Sequence, residues 1–368
     1  MVRQQERVEV EDWVRAEASL GRARFVTQGC DASDVEGILG RIRTVDDWIR
    51  VWSESGAEHE QRAREAEEKG RTLSAGEAYV RASLSYHWSK MRWAGVLDNE
   101  ERYHEAHTNS IRTYEKGAAM LDGNFERVEI PYEDISISAH IRRPSDVENP
   151  PVVLLVPGMD SVKEEFWQWG NVFLDRGMAI VAFDGPGQGE TRDKMPVRHD
   201  YETAGKAIID YLEGRDDLDA ASIGAVGVSM GGYYVPRIAC FEDKLKAIIS
   251  ISGSFVVRTT PENPGNAANA WWRFIAWAKT AEESTEIHGR RSLEGIIGNI
   301  RCPYLVVNGK LDAQSSYVNT EEIAREAEKA GVPVEYVLYE DGAHVCFNIP
   351  YKCRPLVGDW MANRLSGG

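Results

Sequence analysis

Gly227-Val228-Ser229-Met230-Gly231-Gly232 places a serine between glycines, after a β-branched run and before a helical pattern. A nucleophilic serine needs a sharp strand-to-helix turn that lifts its hydroxyl off the sheet end, and glycines flank it because side chains would clash there. The five-residue pattern alone is weak; partners in the right order give it weight. Asp312 ends Asn308-Gly309-Lys310-Leu311-Asp312 after the apolar run Tyr304–Val307, and His344 ends Glu340-Asp341-Gly342-Ala343-His344 after Val334–Leu338. In this reading Ser229 attacks a carbonyl, His344 takes and returns its proton, and Asp312 holds the imidazole. Singly, a loop aspartate is a turn former and a lone histidine a structural residue; the joint order carries the chemistry. Glu262 is the runner-up acid, while Asp341 is too close to His344 in sequence.

An oxyanion formed at that carbonyl needs donors. One is expected to be the Met230 backbone N–H, and the second an N–H from the loop Val156-Pro157-Gly158-Met159-Asp160, with Met159 favoured and Asp160 the alternative. Both are backbone groups, so changing the Met159 side chain is expected to matter little. Asp184-Gly185-Pro186-Gly187-Gln188-Gly189-Glu190 could suggest a phosphate cradle, but it lacks G-x-G-x-x-G spacing and a Lys-Ser/Thr pair, and reads as a tight structural turn. Lys163-Glu164-Glu165 reads as a solvated helix start, with Glu165 able to line a pocket. No His/Cys/Asp cluster has metal-ligand spacing, so neither a metal nor a cofactor is implied.

The elements that must position these residues follow from periodicity. Residues 1–124 are rich in Glu, Arg and Ala and carry apolar residues at helical spacing, as in Val45, Trp48, Ile49 and Trp52. They predict a helical domain. Residues 125–368 predict a second domain, opening with a hairpin over 125–132 and 135–142. Short apolar runs at 152–156, 179–183, 223–228, 247–251, 304–307 and 334–338 suit strands buried on both faces. Helical stretches near 163–176, 200–214, 231–241, 316–330 and 351–365 alternate with them. The alternation predicts a doubly wound, mostly parallel α/β sheet. A tryptophan-rich stretch over 255–300 interrupts the rhythm as a lid-like insert.

Composition narrows the function. With 368 residues, 42% apolar and 28% charged, the chain has globular composition, and a formal charge of −16 opposes binding to nucleic acid or anionic lipid. No run approaches the ~18 apolar residues of a membrane helix, and the first residues lack the apolar core of a secretory signal. Five scattered cysteines suit reduced thiols. The expectation is a cytoplasmic enzyme acting on a small molecule, with no nucleic acid or membrane partner.

Pro157-Gly158-Met159-Asp160-Ser161 with Lys163-Glu164-Glu165, then Asp184 to Glu190, then the Ser229 turn resemble the α/β-hydrolase subfamily of 2,6-dihydropseudooxynicotine hydrolase. Fermentation-respiration switch esterase-like proteins and fungal polyketide-shortening hydrolases are its relatives, and the resemblance covers most of the chain. It implies an α/β-hydrolase fold with an N-terminal helical cap, a pocket between cap and core, often a homodimer, and Ser229, Asp312 and His344 as the triad. Several members cleave a carbon–carbon bond beside a ketone, which needs a delocalised leaving carbanion, as in a 1,3-diketone or acylated aromatic ring. Some members carry a further acid where this chain reads Ser252-Gly253-Ser254-Phe255-Val256; Glu262 is the carboxylate nearby.

A flat substrate calls for aromatic walls and polar hooks. Candidates are Tyr86, His87, Trp88, Lys90, Arg92 and Trp93 in the first domain, and Trp271, Trp272 and Trp277 in the insert, with His87 the first to test as a donor to an enolate oxygen. The leading expectation is a serine-dependent carbon–carbon bond hydrolase of secondary metabolism. Its rivals are a carboxylesterase or lactonase with the same triad, an acyl-transfer or cyclisation enzyme, and a hydrolase fold turned binding module. Haloalkane dehalogenase and epoxide hydrolase chemistry would need a carboxylate at Ser229.

Overall fold

The computed structural model describes residues 11–91, 100–258 and 269–365. The chain divides into two compact units between Leu121 and Asp122. In the first, the described helices are α1 (Asp12–Gln28), α2 (Ala32–Arg41), α3 (Val45–Glu68), α4 (Thr72–Lys90) and α5 (Glu100–Leu121). A capping box starts α3: Thr44 Oγ1 accepts from the Asp47 N–H, and the Asp47 carboxylate accepts from the Thr44 N–H. The apolar stripe of α3 then buries Trp48 and Trp52 against Phe25 of α1, whose ring centroid lies 5.1 Å from that of Trp52 and 4.9 Å from that of Trp88. Trp48 Nε1 donates to Trp88 O at 2.9 Å, so the one polar atom of that ring is satisfied inside the aromatic core.

The second unit is built on one eight-stranded sheet in the order β1-β2-β4-β3-β5-β6-β7-β8. The strands are β1 (Glu126–Tyr132), β2 (Ile135–Arg142), β3 (Pro151–Val156), β4 (Ala179–Phe183), β5 (Asp219–Val228), β6 (Leu245–Ile251), β7 (Tyr304–Gly309) and β8 (Val334–Tyr339). β2 runs antiparallel to β1 and β4, and every other pairing is parallel. This is the α/β-hydrolase fold. The central strands are buried on both faces because helices cover both, which is why their sequences are mostly apolar rather than alternating. The helices are α6 (Trp167–Leu174), α7 (Gly189–Arg192), α8 (Glu202–Glu213), α9 (Gly231–Ala239), α10 (Ala270–Ala276), α11 (Ala281–Gly289), α12 (Tyr317–Lys329) and α13 (Pro350–Leu365). The tryptophan-rich insert thus contributes α10 and α11. All five cysteines are buried free thiols, and no described helix is long and apolar enough to cross a membrane.

Strand order decides what stands beside what. β3 pairs with β5 so that Val156 lies opposite Gly227, and the loop after β3 emerges next to the turn after β5. β5, β6, β7 and β8 follow as parallel neighbours, so their C-terminal ends form one row, the usual place for a ligand site in such sheets. At the β5–α9 junction the backbone leaves no room for side chains. A Cβ on Gly227 would lie 2.0 Å from Gly231 O, and one on Gly231 would lie 2.2 Å from Val156 O. Gly231→Ala is therefore expected to lower unfolding free energy by more than about 2 kcal/mol, because backbone rather than a yielding side chain meets the new methyl. Chemical denaturation against wild type measures this; a loss below 0.5 kcal/mol (about the scatter of neutral substitutions) would show that the turn can relax.

Candidate active site

Ser229 follows β5 and precedes α9 at φ 55°, a left-handed conformation that costs a non-glycine residue energy. Its N–H donates to Ile251 O at 2.8 Å, tying the turn to the end of β6, and its carbonyl accepts from the Gly232 N–H at 2.9 Å. Asp312 lies just past β7, with its Oδ1 accepting the N–H groups of Gln314 (2.9 Å) and Ser315 (2.8 Å). That local clamp leaves Oδ2 free to face His344, which follows β8. The two loops cross closely: the Leu311 N–H donates to Gly342 O at 2.8 Å.

The three side chains form one row. Asp312 Oδ2 stands 2.8 Å from His344 Nδ1, and Ser229 Oγ stands 2.9 Å from His344 Nε2. A carboxylate only accepts, so Nδ1 carries the ring hydrogen and Nε2 accepts the Ser229 hydroxyl proton. The Asp312 carboxylate is wholly buried and the His344 ring is nearly so, which keeps water from competing for either bond. Residues next to the expected donors lie near the serine. Met230 opens α9, ahead of the first intrahelical bonds. Gly158, the residue before Met159, is so close that a Cβ there would sit 3.1 Å from Ser229 Cβ and 3.6 Å from Oγ.

A buried polar network behind the histidine went unread in the sequence. Ser252, at φ 55° after β6, donates its hydroxyl to Asn308 Oδ1 at 2.6 Å and accepts the Val345 N–H at 2.9 Å. Asn308 Nδ2 donates to Thr320 Oγ1 at 3.0 Å, whose hydroxyl donates to Gly253 O at 2.7 Å. The residue after His344 is thereby fixed to β6 and β7. Asn308 interrupting an otherwise apolar strand was the available signal. Ser252 stands in the stretch where relatives were expected to carry an acid, and it serves as a hydroxyl bridge.

The remaining candidates are placed separately. Tyr86 and His87 belong to the first unit: the Tyr86 hydroxyl donates to Glu60 at 3.1 Å, and His87 is buried with its ring centroid 4.5 Å from that of Trp88. Burial and then the Glu60 carboxylate push the Tyr86 phenol up to about 12. Trp271 is buried in α10 with its ring 5.4 Å from Phe274, and Glu165 is buried in the turn after Val162. Glu262, Arg92 and Trp93 lie outside the described residues.

A sequence model of FrsA-like esterases matches residues 37–264. The chain belongs to the FrsA-like esterase family. The C-terminal domain of BAAT and acyl-CoA thioester hydrolases matches residues 205–360. The FrsA-like chain is 30% identical to 2,6-dihydropseudooxynicotine hydrolase of Paenarthrobacter nicotinovorans over 95% of its length and 93% of the relative's. It is 32% identical to the 20-hydroxy-prefusarin hydrolase of Gibberella moniliformis, over 64% of this chain and 58% of that one. The crystal structure of the 2,6-dihydroxy-pseudo-oxynicotine hydrolase superposes with a TM-score of 0.82 at 29% identity, covering 94% of this chain and 96% of that one. AbyA5 shares the fold, with a TM-score of 0.75 at 18% identity and coverage of 96% and 95%.

In this FrsA-like chain the Lys163-Glu164-Glu165 run corrects the expectation of a solvated helix start: all three residues are buried. The reason is pairing across loops. Lys163 Nζ lies 2.6 Å from Glu164 Oε1, 3.0 Å from Asp184 Oδ2 and 2.6 Å from Glu190 Oε1, while Arg127 holds both Glu190 oxygens at 2.8 Å. Glu164, Asp184 and Glu190 are grouped closely enough to surround a cation, and the ammonium of Lys163 sits among them. Burial opposes the charge on Lys163, yet its carboxylates outweigh that and raise its pKa; burial likewise opposes the Glu190 charge, and Arg127 and Lys163 outweigh it and lower that pKa.

The signs set a pH window. The Glu190 contribution is present above its ordinary 4.5 and is lost as pH falls through the depressed value, while that of Lys163 is present below its ordinary 10.5 and is lost as pH rises through the raised value. Lys163→Met leaves carboxylates facing one another. It is expected to cost about 3–5 kcal/mol near neutral pH, where the wild-type contributions of both Lys163 and Glu190 are fully present. Chemical denaturation of both proteins at pH 7 checks this; a deficit within about 0.5 kcal/mol, the scatter of neutral substitutions, would contradict it.

Proposed function

We propose that this chain is a serine-dependent hydrolase that cleaves a ketone-activated carbon–carbon bond in an aromatic or polyketide-like metabolite through an acyl-enzyme on Ser229. The observation behind it is the row from Ser229 Oγ through His344 to Asp312, at 2.9 and 2.8 Å. His344 Nε2 removes the hydroxyl proton as Oγ bonds to the substrate carbonyl carbon, and Asp312 stabilises the imidazolium that forms. The resulting oxyanion rests on the N–H groups of Met230 and Met159. Collapse breaks the bond to the neighbouring carbon, whose electron pair leaves as an enolate, and His344 returns the proton to it. Water, deprotonated by His344, then attacks the acyl-serine, releasing a carboxylic acid and regenerating the hydroxyl. A 1,3-diketone and one water thus give one acid and one ketone.

The substrate class is drawn from the relatives, one named for hydrolysis of 2,6-dihydropseudooxynicotine and one for 20-hydroxy-prefusarin. The second reading, a carboxylesterase, is favoured by the family description itself, which is that of an esterase. The two share every step but the leaving group. Wild type and Ser229→Ala are compared on an aryl 1,3-diketone and a matched aryl ester, with acid release followed by mass spectrometry. Ser229-dependent diketone cleavage faster than ester cleavage is the expected result, and Ser229-dependent cleavage of the ester alone would favour the esterase. Ser229→Ala and His344→Ala are each expected to lower kcat by about four orders of magnitude or more, with the double variant little worse than either. Unchanged turnover in Ser229→Ala would remove the mechanism.

A further inference from the structure

The glycine-rich turn Asp184–Glu190 lies beside the loop that carries Met159, and Gln188 joins the two. Gln188 is buried. Its Nε2 donates to Pro157 O and to Gly158 O, each at 2.8 Å. Its Oε1 accepts the Gly185 N–H at 3.0 Å and the Tyr201 hydroxyl at 2.7 Å. All four hydrogen-bonding positions of the carboxamide are used, and only one orientation satisfies them: reversing the amide would set its NH2 against two donors and its oxygen against two carbonyls. Gln188 is therefore locked by what it binds.

Tyr201 is itself held in place. Its ring stacks on Tyr234 of α9 with centroids 3.8 Å apart and planes 9° apart, and its hydroxyl lies where a Cβ on Gly185 would be, at 2.2 Å, so position 185 admits only glycine. A continuous line of contacts thus runs from the helix behind Ser229, through Tyr234 and Tyr201, to Gln188 and the carbonyls of Pro157 and Gly158.

Peptide geometry makes this line matter for the reaction. The Gly158 carbonyl and the Met159 N–H belong to one trans peptide, so they point in opposite directions. With the carbonyl captured by Gln188, the N–H is turned to the other side of the loop, and Gly158 in that loop abuts Ser229. Gly158 has no side chain to prevent the peptide from flipping, so without the clamp the donor could rotate away. We propose that Gln188 is a positioning residue that fixes the Gly158–Met159 peptide with the Met159 N–H as the second oxyanion donor. The inference rests on the acyl-enzyme reading above.

Gln188→Glu tests it with almost no change in shape. The acid keeps an acceptor toward Gly185 and Tyr201 but presents a second oxygen to the Pro157 and Gly158 carbonyls, which repels them. With 4-nitrophenyl butyrate as probe and Ser229→Ala as the blank, kcat is expected to fall about 10²–10³-fold, the loss seen when one oxyanion donor is removed, with KM within about threefold because the ground-state ester needs no such donor. Thermal unfolding is read alongside. A folded Gln188→Glu whose kcat matches wild type, or whose loss lies in KM, overturns the proposal. If that variant does not fold, Tyr201→Phe decides, since it deletes one of the four bonds without adding charge: a kcat several-fold lower at constant KM supports the clamp, and an unchanged kcat overturns it. A wild-type protein with no Ser229-dependent turnover of either this ester or the aryl 1,3-diketone above would instead strike the acyl-enzyme reading, and the Gln188 role with it; where the diketone alone is turned over, the same kcat and KM comparison is read on it.

Discussion

Ser229 occupies a backbone conformation that L-residues disfavour, and it is held there from three sides: by β6 through its N–H, by α9 through its carbonyl, and by the loop after β3 through contact with Gly158. Strain of this kind persists only where the surroundings over-determine it. The close approaches of Gly227 to Gly231, and of Gly231 to Val156 O, are the sterics of that constraint. They dictate how near β3, β5 and α9 must pack, and so where every loop on that edge of the sheet can run. The hydroxyl is exposed to His344 because the turn has nowhere else to put it.

The loops around that turn are held by polar rather than apolar contacts. Apolar packing is forgiving of small shifts, whereas a buried hydrogen bond fixes distance and direction, and leaving one unmade is costly. Ser252 and Asn308 fix the backbone after His344, Gln314 and Ser315 fix Asp312, and Gln188 fixes the loop of Met159. Lys163 and its three carboxylates then join that last loop to the Asp184 turn a second time. Such a charge cluster adds little net stability over an apolar equivalent, whereas removing one partner from it is costly.

Membership in the FrsA-like esterase family and similarity to 2,6-dihydropseudooxynicotine hydrolase agree with this architecture. The motifs that carried the resemblance, Pro157 to Glu165 and Asp184 to Glu190, turn out to be the two loops that Lys163 and Gln188 bind together. Their residue types answer to each other across the fold: lysine to carboxylates, carboxamide to carbonyls.

Much of this was legible in the chain. Strand positions followed from short β-branched runs, because burial on both faces demands uninterrupted apolar residues, and the predicted strands fall where β1 to β8 stand. The sharp turn at Ser229 was legible because glycine beside it is a local steric requirement, and the places of Asp312 and His344 because each follows a strand. What could not be read was which distant groups meet. Lys163-Glu164-Glu165 has the same local pattern whether solvated or paired, and its partners Asp184 and Glu190 are 21 and 27 residues away from Lys163. Ser252 and Val345 are 93 residues apart. The sequence by itself determined the elements and the candidate side chains, since those depend on neighbours in the chain. Strand order, which sets β3 between β4 and β5 and lines up β5 to β8, decided the partners, since hydrogen bonds and ion pairs depend on distance in space.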